Sequence, residues 1–173
     1  MHANLDFAEQ VHVVPGILPV NMGTGANAGD WISLKNYSKV TVIFFKNVGK
    51  AAEDPTILFQ QAKDVSGGTA IDLDVIDKIY VKQATNLLST GTFTLVTQTA
   101  ANTYTEGTSG EKSLIWAIDF YADELDIANG YTSFRVTIAD QGTITPNVPY
   151  GAVLYLLWPP RYGEQALLSA IVD

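Results

Sequence analysis

Cysteine is absent from this 173-residue chain, and histidine occurs only twice, as His2 and His12. Without cysteine there is no disulfide, no thiolate metal ligand and no cysteine nucleophile. Both histidines lie in an N-terminal segment without a cluster of other ligands, which does not favour a metal site. The GxSxG, HExxH and CxxC motifs are also missing. These absences predict a protein that is not an enzyme and that uses no cofactor or metal.

Positive charge is scarce, because ten Lys and Arg residues stand against eighteen Asp and Glu residues, a net charge of −8. Binding to a nucleic-acid backbone needs clustered Lys and Arg, whereas here they are scattered. No stretch approaches the roughly 18 consecutive apolar residues of a membrane span, and the N-terminus has no apolar run of signal-peptide length. We therefore expect a soluble protein with no nucleic-acid partner, no membrane partner and no export signal.

Alternation of apolar and polar residues is the dominant pattern in what the chain does contain. It is clear in KVTVIFFK (39–46), TFTLVTQT (92–99) and YTSFRVTIAD (131–140). About eight such segments are separated by clusters of Gly, Asn, Asp and Pro, with no long amphipathic helix between them. Apolar residues make up 47% of the chain, enough to fill a core. This pattern predicts an all-β protein, an antiparallel β-sandwich of jelly-roll-like type.

Three acidic residues, Asp72, Asp74 and Asp77, stand close together in AIDLDVIDKIYVKQ (70–83). A calcium loop would need a turn glycine and a closing glutamate, and neither is placed correctly. Asp72 and Asp74 alternate with apolar residues, which is typical of the solvent face of a strand. We interpret them as surface residues and not as a metal or glycosidase site.

Aromatic residues fall mostly at alternating strand positions, which is typical of core packing. A carbohydrate-binding platform would instead need exposed aromatic rings beside polar loops. The candidates for such a platform are Tyr104, Tyr131 and Tyr162.

The segment at residues 1–28 contains two prolines in HVVPGILPV, and a Gly- and Asn-rich stretch, NMGTGANAGD (21–30), runs just past its end. Proline removes hydrogen-bond donors and glycine favours turns, so we predict an irregular N-terminal arm followed by a sandwich domain over 29–173 with a short C-terminal tail. Two interpretations stay open for the arm. It is either a loose terminus with a short edge strand around Val11–Val14, or a segment that orders on a neighbouring subunit.

The last predicted strand, AVLYLLWPPRYG (152–163), has no polar side chain on either face before its two prolines. A sandwich strand has one inward and one outward face, so its outward face needs a cover from the arm, from the C-terminal segment or from a partner. We predict that apolar burial between subunits provides it. The predicted interface residues are Val14, Ile17, Leu18, Val20, Leu154, Leu156, Trp158, Leu167, Leu168, Ile171 and Val172.

Most of the chain from residue 29 onward resembles a family of small virion proteins of tailed bacteriophages and prophages. The stretches that carry the resemblance are GDWISLKNYSKVTVIFFK (29–46), DPTILFQQAKDVSGGTA (54–70), AANTYTEGTS (100–109), FRVTIAD (134–140) and GAVLYLLWPPRYGEQALLSAIVD (151–173).

The resemblance implies a capsid decoration, or cement, protein with no catalytic residues. Its implied partners are the major capsid protein and further copies of itself in a dimer or trimer. The implied location is the exterior of the phage head, after synthesis in the host cytoplasm. Two alternatives stay open: another virion component, such as a head fibre, connector or tail protein, and a carbohydrate-binding sandwich used in host attachment.

Overall fold

The computed structural model describes residues 6–85, 91–142, 147–161 and 170–171. Within these ranges the chain forms a four-residue helix, α1 (Phe7–Gln10), two short 3-10 turns at Ala122–Glu124 and Ile127–Asn129, and twelve strands. The strands are β1 (His12–Asn21), β2 (Asn27–Ala28), β3 (Ile32–Ser33), β4 (Tyr37–Lys46), β5 (Thr56–Ala62), β6 (Ile71–Asp72), β7 (Ile76–Ala84), β8 (Thr94–Ala101), β9 (Thr103–Thr105), β10 (Ser113–Tyr121), β11 (Ser133–Ile138) and β12 (Tyr150–Pro160).

The strands form two antiparallel sheets that pack against each other. The first sheet has the order β1-β12-β4-β10-β7-β8. The second has the order β2-β11-β5-β6, with β3 also paired to β11 and β9 also paired to β5. When the β7–β8 hairpin is set aside, the first sheet has the strand order β1-β12-β4-β10. Together with the order β2-β11-β5-β6 of the second sheet, this is the strand order of a jelly roll. The predicted all-β, jelly-roll-like sandwich is therefore confirmed.

Aromatic side chains from both sheets form the centre of the core. Phe120 on β10 stacks on Phe134 of β11 with ring centroids 4.6 Å apart, and Phe59 on β5 contacts both rings edge-on. Tyr155 on β12 crosses the core, and its hydroxyl accepts a hydrogen bond of 2.9 Å from the backbone N–H of Val136. Apolar burial and this sheet-to-sheet hydrogen bond hold the two layers together.

The predicted arm is not irregular over residues 12–21, because these residues form β1, the edge strand of the first sheet. One of the two interpretations of the arm placed a short edge strand around Val11–Val14, and β1 extends that strand to Asn21. Its pairing with β12 runs from His12 opposite Leu157 to Asn21 opposite Tyr150. Register shifts occur at the Pro15–Ile17 and Ile17–Val20 steps. Proline is tolerated on an edge strand, since one side of that strand needs no hydrogen-bond donor. The two prolines therefore indicated an edge and not an absence of structure.

The strand predicted over residues 70–83 is divided between the two sheets. Ile71 and Asp72 form β6 in the second sheet, and the chain then crosses to begin β7 in the first sheet at Ile76. Leu73 lies at the crossing with its side chain buried, and its N–H donates to the carbonyl of Phe59. Alternation continues through the crossing, so the sequence pattern conceals the break.

Candidate interaction surface

Groups that could hold a metal ion are not brought together in the described part of the chain. No cluster of three His, Asp or Glu side chains suitable for a metal ion occurs there. The His12 ring stacks on the Tyr37 ring with centroids 5.8 Å apart, and burial lowers the pKa of His12. His2 lies outside the described residues. The stacking on Tyr37 indicates that His12 is a packing residue.

Asp72 has a structural role on the outside of the second sheet. One carboxylate oxygen accepts a hydrogen bond from the Gln60 side-chain amide, and the other accepts one from the Asn102 amide, each at 3.0 Å. Asp72 and Asp74 are exposed, as predicted for a solvent face, and Asp77 is also exposed.

The tyrosines named as a carbohydrate platform do not present their rings to solvent. Tyr104 and Tyr131 are both buried. The Tyr104 ring packs edge-on against Trp116 at 4.9 Å and its hydroxyl donates to Glu106, while burial raises the Tyr104 pKa. Tyr162 lies outside the described residues. The two described candidates for a platform are therefore buried, as the interpretation of the aromatic residues as packing residues predicts.

An open cleft of about 530 Å³ lies at one end of the sandwich, lined by Asn47, Val48, Ser113, Asn147, Val148 and Tyr150. The Asn47 side chain donates to the carbonyl of Val148 and accepts from the N–H of Tyr150. Its polar atoms therefore hold the cleft's own backbone together and do not converge on a ligand.

The outer surface of the first sheet, which we call the outer face, is the main unexplained feature. Successive pairings place one outward side chain from each of the six strands in a single row across the sheet. In order across the sheet these are Pro15, Leu154, Ile43, Ala117, Tyr80 and Leu95. All six are apolar or aromatic and none is fully buried. A solvated sheet face normally carries polar residues, so this row indicates a binding surface.

A second row runs beside the first, from Ala152 to Phe45 and Ile115. Phe45 is 42% exposed and Tyr80 in the first row is 40% exposed, so large apolar groups are open to solvent. Lys82 continues the second row, with its ammonium 5.7 Å from the centre of the Phe93 ring. The apolar area is thus wider than one row.

A polar cluster bounds the outer face along β4 and β10. The Lys39 ammonium lies 2.6 Å from a carboxylate oxygen of Asp119, and the Thr41 hydroxyl donates to the other oxygen. Lys39 also lies 4.5 Å from the centre of the Trp158 ring. These groups satisfy one another's charge, so the boundary carries little net charge.

The predicted interface residues divide into three groups. Leu154, Leu156 and Trp158 point outward and are partly exposed, as an interface requires. Val14 and Ile17 are buried in the subunit's own core, so their prediction as interface residues is wrong: β1 pairs within the sheet and turns them inward. The remaining residues are Leu18 and Ile171, which are exposed; Val20, which is partly buried against the core; and Leu167, Leu168 and Val172, which lie outside the described residues.

Sequence reasoning missed the outer-face residues Ile43, Phe45, Tyr80, Leu95 and Ile115. The available signal was that β4 is apolar on both faces, which by itself predicts only a central strand. Recognising a continuous face requires knowing which strands are neighbours.

No helix within the described ranges has the length and apolar composition needed to cross a bilayer. Fold and surface together define the class of the protein as a jelly-roll sandwich with a broad apolar sheet face. Comparison of the chain with protein-family models, curated proteins and solved structures yields no match.

Proposed function

We propose that the protein is a virion structural protein of a tailed bacteriophage, a capsid decoration protein that stabilises the assembled head. In this proposal it binds across neighbouring major capsid protein subunits through the outer face. The observation that carries the proposal is the row of six apolar side chains on a sheet surface that the described residues of one copy leave uncovered.

Folding alone gives no reason for this face to be apolar. Outward residues of a sandwich are usually polar, and exposed apolar area lowers solubility. Burial against a capsid would contribute roughly 25 cal/mol for each Å² before the costs of association are subtracted. A six-stranded sheet with strands about 4.8 Å apart spans about 24 Å, which suits a modest contact repeated at many symmetry-related sites.

The proposed mechanism is thermodynamic linkage. A protein that binds the assembled shell, and not its separate subunits, shifts the equilibrium toward the shell by mass action. The net charge of −8 suits a location outside the shell, since an acidic protein is repelled by packaged DNA.

The test uses heads assembled without the protein, to which purified wild-type protein is added before sedimentation. Leu154→Asp is the test variant and Leu58→Asp is its matched control, because both leucines point outward and are partly exposed, one on each sheet. We expect Leu154→Asp to weaken binding about 30-fold or more, since an unpaired carboxylate would be buried. We expect the Leu58→Asp control to bind within about twofold of wild type.

Equal binding by both variants would contradict the use of the outer face. Absence of binding by the wild-type protein to heads would contradict the decoration role. Saturation at a few copies located at one vertex or at the tail would favour the alternative virion component instead.

A further inference from the structure

Strand β8 (Thr94–Ala101) forms one edge of the first sheet and, among the described residues, pairs only with β7 on its inner side. The other sheet edges are protected in recognisable ways. β1 carries Pro15 and Pro19, and the outer strands of the second sheet are only two or three residues long. β8 has eight residues, with no proline and no charged residue. Such an edge is a template for pairing with another strand.

The charge pattern of the chain points to the same edge. There is no Asp, Glu, Lys or Arg between Lys82 and Glu106, although the whole chain has a net charge of −8. Two copies of an acidic protein repel each other over most of their surfaces. Electrostatic repulsion between two copies is weakest where a long stretch of each chain is neutral. Two copies can therefore approach each other most easily at β8.

We propose that β8 pairs antiparallel with β8 of a second copy about a twofold axis, so that two first sheets become one continuous sheet. A twofold axis perpendicular to the sheet makes the strands antiparallel and keeps both outer faces on the same side. Leu95, which is 49% exposed, and Phe93, which is also exposed, then lie on the same side of the joined sheet as their counterparts in the other copy. The outer face continues across the joint and doubles in width.

This inference gives a specific contact to the homo-oligomer part of the proposed function, and it does not depend on capsid binding. Dimerisation is measured on the purified full chain without heads. A dimer that does not bind heads would overturn the decoration role and leave the strand pairing intact. A monomer that binds heads would overturn the strand pairing and leave the decoration role intact.

The test introduces single cysteines at each position from Leu95 to Thr99 under mild oxidation, alone and in mixtures of two variants. The chain has no other cysteine, so each disulfide reports one pair of positions. Opposite Cα atoms of antiparallel strands are about 4.5–5.5 Å apart, within disulfide range. Sheets packed face to face are about 10 Å apart, beyond that range.

We expect covalent dimers only for pairs of positions whose residue numbers add to one constant sum, which is the mark of an antiparallel register. We also expect Leu95→Lys to raise the dimer dissociation constant about tenfold or more in sedimentation equilibrium, because it adds a positive charge to the neutral edge of each copy. The control Ile71→Lys, an exposed apolar residue on an edge strand of the second sheet, should stay within about twofold of wild type.

A monomeric wild-type protein at high micromolar concentration would overturn the proposal. So would an oligomer in which no position in β8 cross-links, or one in which Leu95→Lys and Ile71→Lys weaken association equally. Melting curves of each variant identify any loss of dimer that is caused by unfolding.

Discussion

The two sheets have similar inner faces and very different outer faces. Both inner faces are apolar and aromatic, because together they form one core. The outer face of the first sheet carries a row of six apolar side chains from one edge to the other. The outer surface of the second sheet carries a polar network, with Leu58 and Ile71 as separate apolar residues. On the second sheet Arg135 donates to Gln60 at 3.0 Å, and Gln60 donates in turn to Asp72.

The difference separates what folding requires from what it does not. A sandwich needs two apolar inner faces, and either outer surface is free to be polar. The second sheet follows this rule with a hydrogen-bonded network that is stable in water. The first sheet departs from it in one row across all six strands, which supports the proposed contact through its outer face.

The largest loss of stability is expected from a substitution at Gly16, beside the tyrosine that links the two sheets of one copy. A Cβ added at Gly16 would lie 2.6 Å from the Tyr155 ring, whose hydroxyl is bound to the second sheet. We expect Gly16→Ala to lower the free energy of unfolding by about 3 kcal/mol, because the ring has no room to move away. Denaturant titration measures the change, and Gly107→Ala, whose Cβ meets nothing within 4 Å, is the control. Equal stability of the two variants would mean that residues 12–21 do form a loose arm.

Neighbouring residues of β12 compare the inner and outer faces directly. Val153 is fully buried and Leu154 points outward. We expect Val153→Thr to cost about 2 kcal/mol of unfolding free energy, because a hydroxyl is buried without a partner. Leu154→Thr should cost less than about 1 kcal/mol, since its side chain is partly in water. If Leu154→Thr costs as much as Val153→Thr, the outer face is needed for folding and the comparison fails.

Buried charge also distinguishes the sheets, since the buried lysines among the described residues, Lys39 and Lys46, both lie on β4 of the first sheet. We expect Lys39→Met to lower the unfolding free energy by about 1–2 kcal/mol, because Asp119 loses a charged hydrogen bond of 2.6 Å. The control is Lys78→Met, which removes a solvent-exposed pair with Asp77 and should change stability by less than about 0.5 kcal/mol. Thermal unfolding of both variants measures the two changes. Equal losses of stability would mean that the Lys39–Asp119 pair contributes no more than the exposed Lys78–Asp77 pair.

The smallest effect concerns Lys46, whose ammonium donates to the carbonyls of Gly110 and Lys112 at 2.9 and 3.0 Å. Desolvation lowers the pKa of Lys46 to about 8, against the opposing charges of Asp54 and Glu111. The unfolded chain therefore holds this proton more tightly than the folded chain does. Stability should rise with pH above pH 8, by roughly 1 kcal/mol between pH 7.5 and 9. Urea titrations at several pH values should show this rise in wild type and not in Lys46→Met; parallel curves would contradict it.

Alternation predicted much of the fold. Strands β4, β8 and β11 overlap the alternating segments 39–46, 92–99 and 131–140, and β12 overlaps the apolar run at 152–158. The pattern was misleading at two places, for different physical reasons. At Pro15 and Pro19, a local propensity against strands was outweighed by pairing with β12 on an edge that needs fewer donors. At residues 73–75, alternation continued while the chain changed sheets.

The candidate surface was predicted only in part. An unbroken apolar strand identified Leu154, Leu156 and Trp158 as residues in need of a cover, and they do lie outward. Ile43, Tyr80 and Leu95 were not identified, because each looks ordinary within its own strand. They form a surface only when β12, β4, β10, β7 and β8 become neighbours.

The sequence by itself determined that the chain forms strands, that it contains no cysteine chemistry and that its last strand has an apolar residue at every position up to its prolines. Composition and the two-residue period of a strand are local properties, so they can be read without knowing the fold. Tertiary structure decided which strands became neighbours, and with that which apolar residues entered the core and which joined into a face. Strand order is set by contacts between distant parts of the chain, and no local pattern encodes them.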